Sequence, residues 1–182
     1  TYEDLVEPKW KGSKLIIDTT NYEWFANVLK IKGREKGLEL MKKISLQQPQ
    51  IRTGNPLRSA LVAAGEFHAA VPVNGDDVAR LKDQGAPIEI AAADPVVTLL
   101  RPAGIAAQSP HPNAAKLFID FVLSREGQEI VRSVGKVPAR PEVEPIAIKL
   151  TRGVKLYYSD DSLADRYNDI VREYDDLFRR KK

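Results

Sequence analysis

The strongest constraint in this chain is an alternation. Short apolar runs sit between longer segments whose apolar residues recur at helical spacing, and Gly, Asn, Thr and Pro mark almost every junction. Residues 14–18, 68–73 and 88–92 have strand length and composition. The segment Tyr22–Lys32 places Phe25, Val28, Leu29 and Lys32 on one stripe and stops at Gly33, as a helix does. A second helical pattern over 35–45 uses Leu40, Met41 and Ile44. After Thr53-Gly54-Asn55-Pro56, the residues Leu57, Ala60, Leu61 and Ala64 repeat at i, i+3, i+4 and i+7, with Asn55 expected as cap and Pro56 as first helical residue. Asn74-Gly75 then opens a helix over 76–84, closed by Gly85. The order β-α-α-β-α-β predicts an α/β sheet with helices packed on its faces.

The pattern changes at Asp94-Pro95. Residues 96–101 and 104–108 read as a pair of strands. His111-Pro112 starts a helix with Ala114, Leu117, Phe118, Phe121 and Val122 as its apolar stripe, and Ser124 caps the next helix with Glu126 in its first turn. Residues 137–145 hold three prolines and read as an extended crossing. The last helix, 163–179, carries Leu163, Tyr167, Ile170, Val171, Tyr174, Leu177 and Phe178 on one side. At the start, Thr1 and Asp4 suggest a cap for a short helix over 2–6.

Composition removes whole classes of function. The 182 residues contain no cysteine, which excludes disulfide scaffolds, thiolate metal centres and a cysteine nucleophile. No apolar run approaches the roughly 20 residues of a membrane helix. Charge is nearly balanced, with 28 Lys and Arg against 25 Asp and Glu, and the basic residues of 179–182 form a terminal run rather than a stripe interleaved with aromatics. A nucleic-acid partner is therefore not expected. The pairs Asp76-Asp77, Asp160-Asp161 and Asp175-Asp176 are sequence neighbours, which do not face each other on a helix. His68 and His111 stand alone, and no phosphate loop, nucleophile elbow or dinucleotide fingerprint occurs. No catalytic residue, metal site or cofactor is expected.

What remains is a set of turns that each open a helix: Thr19-Thr20-Asn21, Thr53-Gly54-Asn55 and Asn74-Gly75-Asp76. Free N–H groups and helix partial charge make such turns ready sites for polar or anionic groups. In an α/β sheet they gather at the carboxyl edge, where ligands bind. Any one of them is explained as well by capping alone; convergence of all three would favour binding. The expected ligand-side residues are Thr19, Thr20, Asn21, Thr53, Gly54, Asn74 and Gly75.

Five blocks carry a resemblance to a known family. Residues 1–12, Ala64-Gly65-Glu66, residues 82–87 with Gly85-Ala86-Pro87, residues 111–128 and residues 137–141 follow one another in the order seen in bacterial extracellular solute-binding proteins of ABC transporters, in the ferric-iron-type branch. The block from His111 to Gln128 is the most specific. The resemblance implies a type 2 periplasmic-binding-protein-like α/β fold, one nearly complete lobe (residues 1–94) plus the hinge crossing and C-terminal helical part of the other (residues 95–182). The N-terminal part of that other lobe and any signal segment are not in this sequence.

The family implies a noncatalytic substrate-binding component: a small-molecule or ion ligand is held between two lobes, and the closed form docks on a membrane permease from the periplasmic or extracellular side. Iron-binding members carry adjacent tyrosines after the Gly-Glu step. Here that stretch, residues 71–77, has none, so a small anionic or polar solute is expected ahead of a metal. Tyr157-Tyr158 lies elsewhere. An incomplete cleft would also expose apolar surface and favour a homodimer. The competing expectation is a ligand-sensing domain of the same fold in a regulatory protein.

Overall fold

A computed structural model describes residues 1–12, 14–148, 151–159 and 161–179. Residues 180–182 of the basic end, and Asp160 of one acidic pair, lie outside these described residues.

Three parallel strands form the central sheet in the order β2-β1-β3: β1 is Leu15–Ile17, β2 is Gln50–Ile51 and β3 is Ala69–Val71. Ile17 pairs with Ile51 on one side and Val71 on the other. The middle strand is apolar at every position and buried on both faces, as a parallel sheet sandwiched by helices requires.

Helices α1 (Tyr22–Lys32) and α2 (Arg34–Ser45) follow β1 and build most of the core. Trp24, Phe25, Val28 and Leu29 of α1 meet Leu40, Met41 and Ile44 of α2. Gly37 permits the close approach, since a Cβ there would come within 2.8 Å of the Leu29 Cα. Helix α3 (Asn55–Ala63) precedes β3, and α4 (Gly75–Asp83) follows it. The last helix, α7 (Tyr167–Phe178), returns to this unit: Ile170 and Tyr174 enter the same core. The Tyr174 ring stands edge-on to Tyr22 and Phe25, with centroids 5.3 and 5.7 Å away, a geometry that aromatic quadrupoles favour.

A second, two-stranded parallel sheet pairs β4 (Val96–Thr98) with β5 (Leu156–Tyr158). Helices α5 (Pro112–Leu123) and α6 (Arg125–Ser133) follow β4. Ser124 caps α6 as expected, accepting from the Gly127 N–H at 3.1 Å. Gln128 pins the proline-rich segment to the helix pair: its Nε2 donates to Val122 O at 2.8 Å, and its Oε1 accepts from Ala139 N at 2.6 Å.

Several expectations are corrected. Residues 88–92 form no strand, because their donors are taken locally. Ile88 N–H bonds to Ala86 O and Ile90 N–H to the carboxylate of Glu89, which also pairs with Lys82 at 2.6 Å. Residues 104–108 form no strand either; they are exposed, Ala106 accepts from Ser109 in a turn, and β4 pairs with β5 instead. The opening helix is a single 3-10 turn, Glu3–Val6, capped at Tyr2 rather than Thr1. Gly54, at φ +97°, caps α3, and Asn55 is the first helical residue. The buried face of α3 is also rotated: Leu57 and Ala60 are exposed, while Arg58 and Ser59 are fully buried.

Candidate functional site

Strand order puts the carboxyl ends of β1, β2 and β3 along one edge of the sheet. The turn after β1 carries Thr19, Thr20 and Asn21; the turn after β2 carries Thr53 and Gly54; the turn after β3 carries Asn74 and Gly75. The first two meet directly, with the Thr19 and Thr53 Oγ1 atoms 3.0 Å apart. Thr20, Thr53 and Asn74 are exposed, and Thr19, Gly54 and Gly75 are half-buried. Asn21 caps α1 by position only: its side chain makes no cap bond, and its Nδ2 is buried without a partner. Asn74 likewise caps α4 by position only.

Beneath these groups lies a buried ion pair. The last residue before the first turn, Asp18, is 5% exposed, and Arg58 in the first turn of α3 is 0% exposed. The Arg58 Nη2 forms an ion pair with Asp18 Oδ2 at 2.8 Å and donates to Asn55 Oδ1 at 2.6 Å, while Nη1 donates to Pro72 O at 2.5 Å. Asp18 spends its remaining capacity on the turns. Its Oδ1 accepts from the Thr20 N–H at 3.0 Å and the Thr20 hydroxyl at 3.1 Å, and its Oδ2 accepts from the Gly54 N–H at 3.3 Å. Burial works to raise the Asp18 pKa, but the Arg58 charge and the bonds from Thr20 and Gly54 prevail and hold it below the usual carboxylate range. Burial in turn lowers the Arg58 pKa against the pull of Asp18. From the far side, the Tyr174 hydroxyl donates to the Asp18 carbonyl. Burial pushes that phenol well above its ordinary value.

A groove of about 480 Å³ begins one residue past Asn21, between α1, the segment after β4 and the approach to α7. Tyr22, Glu23, Arg101, Ser159 and Tyr167 line it. Two of its lining residues are tied together by Asn27, fully buried on α1, whose Nδ2 donates to Glu23 O at 2.8 Å and Ser159 Oγ at 2.9 Å. Among the described residues no group of His, Asp and Glu could hold a metal ion, and no helix is long and apolar enough to cross a membrane. Tyr157 and Tyr158 sit on β5, paired with β4 in the second sheet.

This arrangement is hydroxyls and helix-opening turns fixed over an internally neutralised carboxylate, with no nucleophile and base brought together. The family model for bacterial extracellular solute-binding proteins matches residues 1–156. The chain belongs to that family. Its members are solute-binding proteins rather than enzymes. An uncharacterised protein of Haemophilus influenzae is 28% identical over 139 residues, covering 74% of this chain and 40% of the relative. The periplasmic binding protein P5PA superposes with a TM-score of 0.73 at 23% identity, over 98% of this chain and 60% of that one. Apo FutA2 from Synechocystis PCC6803 gives 0.67 at 16% identity, over 97% of this chain and 62% of that one. These two likenesses establish the fold, as the alternation of strands and helices predicts. The chain spans less than two thirds of the length of each of these proteins.

Within this solute-binding protein, the structure joins Thr19, Thr20, Thr53 and Gly54 in one bonded cluster. Asn74 and Gly75 connect to it through the Pro72 carbonyl, two residues before Asn74, which accepts from Arg58. Sequence reasoning missed Asp18 and Arg58. The available signal was a carboxylate ending an apolar strand and a lone arginine inside an otherwise small and apolar helix.

Proposed function

We propose that this chain is the ligand-holding part of an ABC importer's substrate-binding protein, taking a small anionic or polar solute at the carboxyl edge of its sheet and presenting it to a membrane permease from the periplasmic side. The observation that carries the reading is the Thr19–Thr53 hydroxyl contact over the Asp18–Arg58 pair, because it brings two helix-opening turns together on a rigid floor. The donors there are hydroxyls and backbone amides. A hard trivalent cation would want anionic oxygens, and the nearest carboxylate is already engaged by Arg58. That favours an organic anion or polar solute over ferric iron. Because Arg58 offsets the Asp18 charge, the mouth does not repel an anion.

The ligand would bridge two lobes and favour the closed state. In this reading residues 1–94 form one lobe and the chain crosses into the other after residue 94; the expected assignment of all of 95–182 to that other lobe is narrowed, because α7 returns to the core of the first. The wide apolar face of α5 and α6 supports it, since Leu117 and Phe118 are 71% and 66% exposed and would pack against further polypeptide. In the chain by itself, the same face favours a homodimer.

A thermal-shift screen of the protein against carboxylates, organic phosphates and metal ions tests the reading. A ligand at about 100 times its Kd should add about 2.7 kcal/mol of stability, and Thr19→Ala with Thr53→Ala should abolish the shift. A panel without any shift, or a shift that survives both substitutions, would sink the assignment of the site.

A further inference from the structure

We propose that Arg58 is the positioning residue of the ligand mouth: one buried guanidinium that holds the three turns in fixed spacing. What the mouth binds rests on the functional reading above; how it is held rests on geometry alone. Three elements converge on this side chain. It reaches β1 through the Asp18 carboxylate, the start of α3 through Asn55 Oδ1, and the exit of β3 through the Pro72 carbonyl. Asp18 relays the hold to the first two turns by accepting from Thr20 N–H and Gly54 N–H. The Pro72 carbonyl lies two residues before Asn74, so the third turn hangs on Nη1. Asp77, buried in the first turn of α4, adds its charge to the same guanidinium.

Stability does not demand such an arrangement. A buried ion pair costs desolvation, and neutral residues of similar volume often serve the fold as well or better. Here the pair sits at the edge of the apolar core, which reaches it through Tyr174, and at the junction of the turns that carry the candidate ligand groups. Arginine is also the residue the geometry needs. Its planar fork serves a carboxylate, an amide oxygen and a carbonyl from fixed directions, whereas a lysine ammonium is one point charge on a flexible stem. Asp18 also accepts from the Thr19 hydroxyl at 3.4 Å, so the position of Thr19 Oγ1 and of the Thr53 hydroxyl 3.0 Å from it is set from below.

Backbone hydrogen exchange on the ligand-free protein tests this. Arg58→Lys should still pair with Asp18, so exchange at Thr20 and Gly54 should stay near wild type. Residues 73–77, deprived of the Nη1 branch, should exchange about tenfold faster. The double variant Asp18→Asn with Arg58→Met removes both charges together and so avoids an orphaned ion; it should loosen all three turns by about tenfold while β1 and α2 keep their protection. In the double variant, acceleration confined to one turn, spread evenly over the chain, or absent would overturn the proposal, as would an Arg58→Lys protein in which residues 73–77 exchange at the wild-type rate. A blank ligand screen with the three turns loosening together would defeat the binding reading and leave the positioning role standing. Ligand binding with no change in exchange would do the reverse.

Discussion

Helices α1 and α5 carry equally legible apolar stripes, yet their fates differ. Phe25 of α1 is 0% exposed, and Phe118 of α5 is 66% exposed. On α1 the stripe meets α2, α7 and the rings of Tyr22 and Tyr174. On α5 no residue is buried, although the helix is well started by Pro112 and its junction with α6 is closely packed. An amphipathic pattern states that a face is to be covered; it does not state by what.

The difference can be broken most severely at Phe25. Phe25→Ala should cost about 3–5 kcal/mol in denaturant unfolding, whereas Phe118→Ala should stay within about 0.5 kcal/mol. Comparable losses would mean that the α5 face is covered in solution. Acid titration gives the next effect. Asp18 is held below its ordinary range, so its contribution is present above the unfolded value of about 3.9 and is lost as pH falls through the lower folded value. Wild type should therefore lose stability below about pH 4, and Asp18→Asn should be weaker at neutral pH with a flatter acid limb. An identical acid limb in the variant would refute the linkage. Tyr174→Phe removes only the hydroxyl that donates to the Asp18 carbonyl, and should cost about 1 kcal/mol by the same unfolding assay. The smallest stability change is expected for Leu117→Gln with Phe118→Gln, within about 0.5 kcal/mol. Sedimentation should nevertheless show less self-association; unchanged association would place the sticky surface elsewhere.

The elements that could be read in advance are those whose signal is local. Tyr22–Lys32 has apolar spacing and a terminating Gly33, and the structure keeps both ends. The capping hydroxyl of Ser124 is three residues from its partner and was equally visible. Residues 88–92 misled because composition reports strand propensity but not whether a ladder partner is within reach. The α3 face misled for a related reason: Arg58 is buried because Asp18 waits for it from another element, and pairing across elements leaves no periodic trace. The site was half legible on the same grounds. Turn chemistry nominated Thr19, Thr20, Asn21, Thr53, Gly54, Asn74 and Gly75, of which Thr19, Thr20, Thr53 and Gly54 join in one bonded cluster, while the charge pair under them depends on contacts that only the folded chain creates.

The bond from Tyr174 to the Asp18 carbonyl spans 156 residues. During synthesis β1, the first threonine turn and helix α1 emerge well before α7, which brings one aromatic wall of their core. A nascent chain stalled before that point would have a strand end without its tether and Phe25 without one of its edge-on rings. The mouth is thus completed only after α7 has been made, long after the turns that compose it.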